Sequence, residues 1–344
     1  MAIGIAIIGS GIFVKEEHLP AVQAVPELVS IKAIYSRSLK SAKSVSENLS
    51  NVDLYSDDSD GKTLAHLLKR EDIKGVIIAL PIPIQPEYIK KALAAGKHVL
   101  AEKPIAKDMA TAQDLLAWTK SPSNTSAVYT VAENFRFLDS FLYGAQAVSS
   151  LGRILTFRAR VAAYVQPGSK YYETPWRKEP AYQGGFLLDG GVHFAAAVRL
   201  LLSGAGETMK RLTAFTTQLQ EHLRPVDTMH STLLLAGGAS GTFAVSFGTT
   251  DKGSEYLVAC EKGSVHVSMG RVTVKRGGEV VDEKEFKDEG AGVKQEVKAW
   301  AESLNTGQWS KEQSGEEALG DLEIIESVLK SGEQSGKPMV LQHQ

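Results

Sequence analysis

The feature that most constrains this chain is a rhythm of short apolar-rich runs with amphipathic stretches between them. Ile3–Ile8, Val29–Tyr35, Gly75–Leu80, Val99–Ala101 and Ala127–Val131 are the runs, while Leu64–Leu68, Tyr88–Ala95 and Ala112–Thr119 show helical spacing. A strand buried on both faces reads as an apolar run, and parallel strands need a crossover, usually helical. Right-handed crossovers then predict a doubly wound parallel sheet over residues 1–130.

After Leu151 the texture changes. Arg153–Ala163, Arg211–Leu219, Ser231–Leu235, Gly241–Phe247, Tyr256–Cys260, Ser264–Val267 and Val272–Lys275 read as strands with little helix between them. Turn pairs such as Gly237-Gly238 and Gly277-Gly278 predict antiparallel neighbours. Helices are expected near Leu187–Leu202, Val293–Leu304 and Glu316–Leu329. Residues 131–344 are therefore expected to form an α+β domain on one large, open, mainly antiparallel sheet.

Composition excludes several function classes. Lys+Arg total 38 against 40 Asp+Glu, so the basic surplus that phosphate neutralisation requires is missing, and no nucleic-acid partner is expected. A single cysteine, Cys260, permits no internal disulfide and no Cys-ligated zinc site. No run of 18 apolar residues suggests a membrane span. The first run lacks the basic flank and cleavage site of a secretory signal, so it is expected to be a buried strand, and the single cysteine leads to the expectation of a reducing, cytoplasmic compartment.

Gly9-Ser10-Gly11-Ile12-Phe13-Val14 follows the first run directly. Two glycines allow a tight turn and close approach of the backbone to a pyrophosphate, and the following helix directs N–H groups at that anion. Val14 replaces the third glycine, a position that governs only helix–strand packing. The second run ends in Ser36-Arg37-Ser38, with no carboxylate to accept from a ribose 2′-hydroxyl. Arg37 offers a permanently charged donor fork and the serines add hydroxyls, a set suited to a 2′-phosphate. NADP is therefore expected in preference to NAD.

Glu102-Lys103-Pro104 closes another run, at the strand edge where open α/β sheets bind ligands. Together with Gly9-x-Gly11 and the segment Gly184-Gly185-Phe186-Leu187-Leu188-Asp189-Gly190-Gly191-Val192-His193, it resembles the motif series of the Gfo/Idh/MocA oxidoreductases. Ile12-Phe13, Ala132-Glu133-Asn134 and Trp176-Arg177 resemble a eukaryotic NADP-dependent branch of that family. The resemblance implies a Rossmann domain that binds NAD(P) and a second domain that supplies the substrate site and often a dimer face. It assigns Lys103, Asp189 and His193 to the catalytic positions. Gln85 departs from the pattern, since many members carry His there.

The residues agree with that assignment. Asp189 and His193 are spaced i, i+4 and share a helix face with Ala196, Ala197 and Leu200. Gly190-Gly191 inside a helix costs about 1 kcal/mol per glycine, which implies close approach of a cofactor ring or a substrate. Alcohol oxidation loses a hydroxyl proton as hydride leaves. His193 is the expected general acid/base, with Lys103 donating to the substrate oxygen or competing for the proton. Asp189 would orient a second hydroxyl or His193. Leu80, Pro81, Glu102, Glu133 and Asn134 are expected along the cofactor groove, and Trp176-Arg177 against cofactor or substrate. Tyr171-Tyr172 are candidates for sugar hydroxyls. His18, His66 and His98 have no matching partners and read as structural, and no metal site is expected. The expected partner is a sugar, polyol or small carbonyl compound, with a homodimer favoured. The competing reading is a dinucleotide sensor without turnover, which has no chemical need for Lys103, Asp189 and His193 together.

Overall fold

In the computed structural model, which describes residues 2–268 and 270–344, the apolar runs form a six-stranded sheet, all parallel. Its strands are β1 (Ile3–Ile8), β2 (Val29–Ser36), β3 (Asp53–Ser56), β4 (Gly75–Ile78), β5 (His98–Glu102) and β6 (Tyr129–Ala132). Their order is β3-β2-β1-β4-β5-β6, so the winding direction reverses between β1 and β4. That reversal is where dinucleotides bind sheets of this kind. Ile5, Ile7, Ile8, Val76, Ile77 and Ile78 are all fully buried, as continuous apolar runs require.

Helices α1 (Leu19–Gln23), α2 (Leu39–Ser46), α3 (Leu64–Leu68), α4 (Gln85–Ala94) and α5 (Met109–Thr119) fill the crossovers. Local chemistry starts several of them. The Ser38 hydroxyl accepts from the Ser41 N–H at the head of α2, and Asp108 accepts from the Thr111 N–H at the head of α5. β3 escaped the sequence reading because Asp-Leu-Tyr-Ser is short and half polar; pairing with β2 makes it a strand.

The chain divides into two compact units, and the division departs from the expected boundary at residue 130. The first comprises residues 1–134 and 293–318, the second 135–292 and 319–344. Helix α9 (Val293–Thr306), expected in the second domain, belongs to the first. Val297, Trp300 and Ala301 enter the same core as Ile5, Ile77 and Leu100. Gly75 makes room for it, since a Cβ there would stand 3.0 Å from the Trp300 ring. Periodicity revealed an amphipathic helix but not the sheet it would cover.

The second unit is built on a nine-stranded sheet. In chain order its strands are β7 (Ile154–Ala162), β8 (Met209–Thr217), β9 (Thr228–Leu235), β10 (Ser240–Ser246), β11 (Gly253–Cys260), β12 (Gly263–Ser268), β13 (Arg271–Arg276), β14 (Glu279–Glu285) and β15 (Met339–Val340). The spatial order is β14-β13-β12-β11-β7-β10-β9-β8-β15, antiparallel throughout except for the β7–β10 pair. Gly277 and Gly278, both at positive φ, turn β13 back into β14, an edge strand exposed along its whole length and so without apolar alternation to betray it. Helices α6 (Asp139–Ser149), the short α7 (Pro175–Lys178), α8 (Gly185–Ser203) and the second part of α10 (Gly315–Glu333) complete the unit. Helix α8 is long and apolar enough to match a membrane span by composition, but 67% of that window is buried inside the protein.

Candidate active site

The first unit carries the glycine turn. Gly9 sits at φ +129°, a conformation that favours glycine, and its N–H donates to the Tyr35 carbonyl at 2.9 Å. A Cβ there would lie 2.2 Å from the Ala79 oxygen. At Gly11 a Cβ would meet no described atom within 4 Å, so this side of the turn is open. An open backbone turn at the head of a helix, beside the sheet's reversal point, fits a dinucleotide pyrophosphate. Val14 is fully buried in the core, consistent with a packing role at the third position.

The helix that follows starts with a π-turn, Val14–His18, closed by the Leu19 N–H on the Val14 carbonyl. The wide turn carries His18 inward to complete burial, with Phe13 edge-on at 5.3 Å. Its Nε2 lies 2.8 Å from the Glu102 carboxylate, which accepts from it. His18 is therefore not the partnerless histidine that the sequence suggested. The pair spans 84 residues, a separation no local pattern reports. Gln85, 1% exposed, donates its Nε2–H to the Glu102 backbone carbonyl at 3.1 Å. The departure at this position thus holds the strand end that precedes Lys103. Lys103 itself follows β5, joined to Pro104 by a cis peptide.

Acidic groups surround this strand end. Glu133 and Glu296 are 2% and 1% exposed. Burial holds Glu296 well above the usual carboxylate range, and the charges of Glu102 and Glu133 add to the effect while Lys103 opposes it. Gln313 fixes the backbone here, its Nε2–H donating to the Glu296 carbonyl at 3.1 Å. Sequence reasoning missed Glu296, which lies far along the chain on α9.

At the end of β2, Ser36 is buried and its hydroxyl meets that of Ser10 at 2.7 Å, tying the glycine turn to this strand. Arg37 is exposed and pairs with no carboxylate among the described residues. The expectation of no carboxylate here needs correction. Ser36 pairs with Ser56 across the parallel strands, so the residues after β3 run beside those after β2. Asp57 accepts from the Tyr35 hydroxyl at 2.7 Å, and Asp58 accepts from the Leu39 N–H at 2.8 Å. Leu80 and Pro81 are half-buried beyond β4, and Asn134 is buried beyond β6.

In the second unit Asp189 and His193 stand one turn apart on α8. Asp189 is 5% exposed and accepts from Arg177 Nε at 2.7 Å. The guanidinium in turn lies 4.0 Å from the Trp176 ring centre and 5.6 Å from that of Tyr171. Arg177 thus serves first to hold Asp189. The His193 ring stacks on Phe135 at 4.9 Å and 22°. Burial pushes the Tyr182 hydroxyl's pKa up; the Asp189 charge reinforces the shift and Arg177 counters it, so Tyr182 belongs to the same cluster. It also lines a cleft of about 1130 Å³ with Tyr172, Lys178, His222 and Arg224. The close approach at Gly190 and Gly191 is made by the protein itself: added Cβ atoms would lie 2.7 Å from the Phe247 ring and 3.1 Å from Ile325. Neither a cofactor nor a substrate is needed to explain those glycines.

Residues 3–130 match the oxidoreductase family model with an NAD-binding Rossmann fold, and residues 146–266 match the GFO/IDH/MocA C-terminal domain. Dehydrogenase FPY6 of Fusarium mangiferae is 40% identical over 337 residues, covering 96% of each chain. The chain belongs to the Gfo/Idh/MocA oxidoreductase family. Among solved Gfo/Idh/MocA-like folds, an oxidoreductase from Thermotoga maritima superposes with a TM-score of 0.87 at 26% identity, covering 99% of this chain and 98% of that one. A levoglucosan dehydrogenase solved with NADH and levoglucosan shares the fold, with a TM-score of 0.83 at 16% identity, covering 99% of this chain and 100% of that one.

This Gfo/Idh/MocA chain thus has an NAD(P)-binding Rossmann domain and a second, mainly antiparallel domain. Gly9, Ser10, Gly11, Ile12, Phe13, Ser36, Arg37, Ser38, Leu80, Pro81, Glu102, Lys103, Glu133 and Asn134 lie in the first unit. Trp176, Arg177, Asp189 and His193 lie in the second.

Proposed function

We propose that this protein is an NADP(H)-dependent oxidoreductase that moves a hydride between the nicotinamide and the CH–OH carbon of a sugar, polyol or small carbonyl compound. The observation that carries the reading is Lys103. It stands at the carboxyl end of β5, in the sheet whose first turn is the Gly9–Gly11 cradle, with its strand end held by His18 and Gln85. A nicotinamide held at this turn would supply or accept the hydride. Lys103 Nζ donates to the substrate oxygen and stabilises negative charge developing there. His193, its ring held face-on by Phe135, takes the hydroxyl proton during oxidation and returns it during reduction. Asp189, held by Arg177, accepts from a second substrate hydroxyl. Support for a sugar-like substrate comes from the family and from the polar, aromatic cleft beside Tyr182. The proposal includes a cytoplasmic setting and a homodimer through the open face of the nine-stranded sheet, where the Phe215 ring is exposed.

The test is a panel of sugars, polyols and aldehydes with NADPH and NADH, run on wild type and Lys103→Ala. Turnover should fall about 100-fold or more in the variant, the scale of losing one oxyanion donor, while nucleotide affinity holds within about threefold. Full turnover in the variant refutes the assignment. Tight nucleotide binding by wild type with no turnover across the panel points to a sensor instead.

A further inference from the structure

The corner where β2 ends holds an arrangement that the cofactor assignment alone does not require. Parallel pairing of β2 with β3 delivers two carboxylates beside Ser36-Arg37-Ser38, and both are already engaged. Asp57 accepts from the Tyr35 hydroxyl, and Asp58 accepts from the first amide of α2, the Leu39 N–H. The Asp58 carboxyl is held below its usual range by the Ser56 hydroxyl and then by that amide. Arg37 stands exposed and unpaired with either, or with any other described carboxylate, and so remains available to an outside anion. The Ser10–Ser36 hydroxyl contact ties this corner to the glycine turn, which places it at the adenosine end of a bound dinucleotide.

We infer that Asp58 is a specificity-determining residue, a fixed negative charge that opposes the 2′-phosphate Arg37 would recruit and so narrows the preference for NADPH over NADH. The inference rests on the proposed binding of NADP(H) at the Gly9–Gly11 turn. Two opposite charges are set against one another at a single recognition point. Arg37 attracts the phosphate, while Asp58 repels it and occupies an amide that could have donated to it. NADH carries only a neutral hydroxyl there, so the repulsion acts on NADPH and not on NADH.

Asp58→Asn removes the charge while its amide oxygen can still accept from the Leu39 N–H. Dissociation constants for NADPH and NADH come from nucleotide fluorescence titration of the full chain, with thermal melting as the check on folding. A unit charge acting on a phosphate several ångströms away in a solvated corner is worth about fivefold to tenfold in affinity. The NADPH constant should therefore tighten by that factor and the NADH constant stay within about twofold. The gain should shrink at about 0.5 M salt, which screens exposed charges. Arg37→Ala in the Asp58→Asn background should abolish it. An unchanged ratio of the two constants overturns the inference and leaves Asp58 a helix cap. So does selective weakening of NADH, which would make Asp58 an acceptor for the ribose hydroxyl. Failure of wild type to bind either nucleotide removes the cofactor reading itself, and this inference with it. Loss of turnover in Lys103→Ala bears on neither constant, so the two readings fail separately.

Discussion

Replacing Glu296 by glutamine is expected to stabilise the protein, by an amount that depends on pH. The carboxyl is 1% exposed, and its Oε2 has no hydrogen-bond partner among the described residues. Burial first, then the charges of Glu102 and Glu133, hold its pKa well above the ordinary carboxylate range despite the opposing Lys103. The folded protein therefore keeps a proton that the unfolded chain releases above roughly pH 4.3. Stability from this group is fully present below that value and is lost as pH rises towards the folded value, at about 1.4 kcal/mol per pH unit. Glutamine has the same shape and no proton to lose. The two proteins should be nearly equal in stability at about pH 4.5, and the variant should gain on wild type at about 1.4 kcal/mol per pH unit as pH rises from about 5 towards the folded value. Urea unfolding across that range measures it, and Trp300, buried one turn further along α9, supplies a local fluorescence signal. A difference that stays flat with pH, or a variant less stable near neutrality, would show that Glu296 is ionised in the fold and held by Lys103.

His18→Ala leaves the Glu102 carboxylate without its buried donor and should cost about 1.5–3 kcal/mol in urea unfolding. His18→Gln, with an amide donor at similar reach, should recover at least half of that loss. A change below about 0.5 kcal/mol in the alanine variant would mean that the pair contributes nothing. Gly190→Ala drives a methyl group to 2.7 Å from a Phe247 ring already packed by Phe186 and Phe194. Overpacking should outweigh the roughly 1 kcal/mol gained in helix propensity, for a net loss of about 1–2 kcal/mol. A raised melting temperature would contradict this.

Much of the fold was legible in the chain because it depends on local pattern. Ile3–Ile8 and Leu64–Leu68 form their elements at the bounds read from sequence, since burial on two faces or on one stripe leaves a direct periodic trace. The glycine turn was legible for a similar reason: Gly9 needs its backbone conformation wherever the rest of the chain goes. Arg37 and Lys103 directly follow β2 and β5, where the sequence placed them after strands. What escaped were relations between distant segments. β14 has no apolar alternation and exists as a strand only by pairing with β13. The Gly190-Gly191 pair was read as room for a ligand, and the room is taken by Phe247 and Ile325.

The residues alone determined the alternation of strands and helices, the cradle and the types of side chain available for redox chemistry. Tertiary structure decided which groups became partners. It brought His18 and Gln85 to Glu102, Glu296 to the acidic surroundings of Lys103, Asp58 to the head of α2, and Arg177 to Asp189. The reason is physical. Periodicity records how much of a segment is buried, whereas a hydrogen bond or a charge effect depends on distance in space, which is fixed only when the sheet order and register are set.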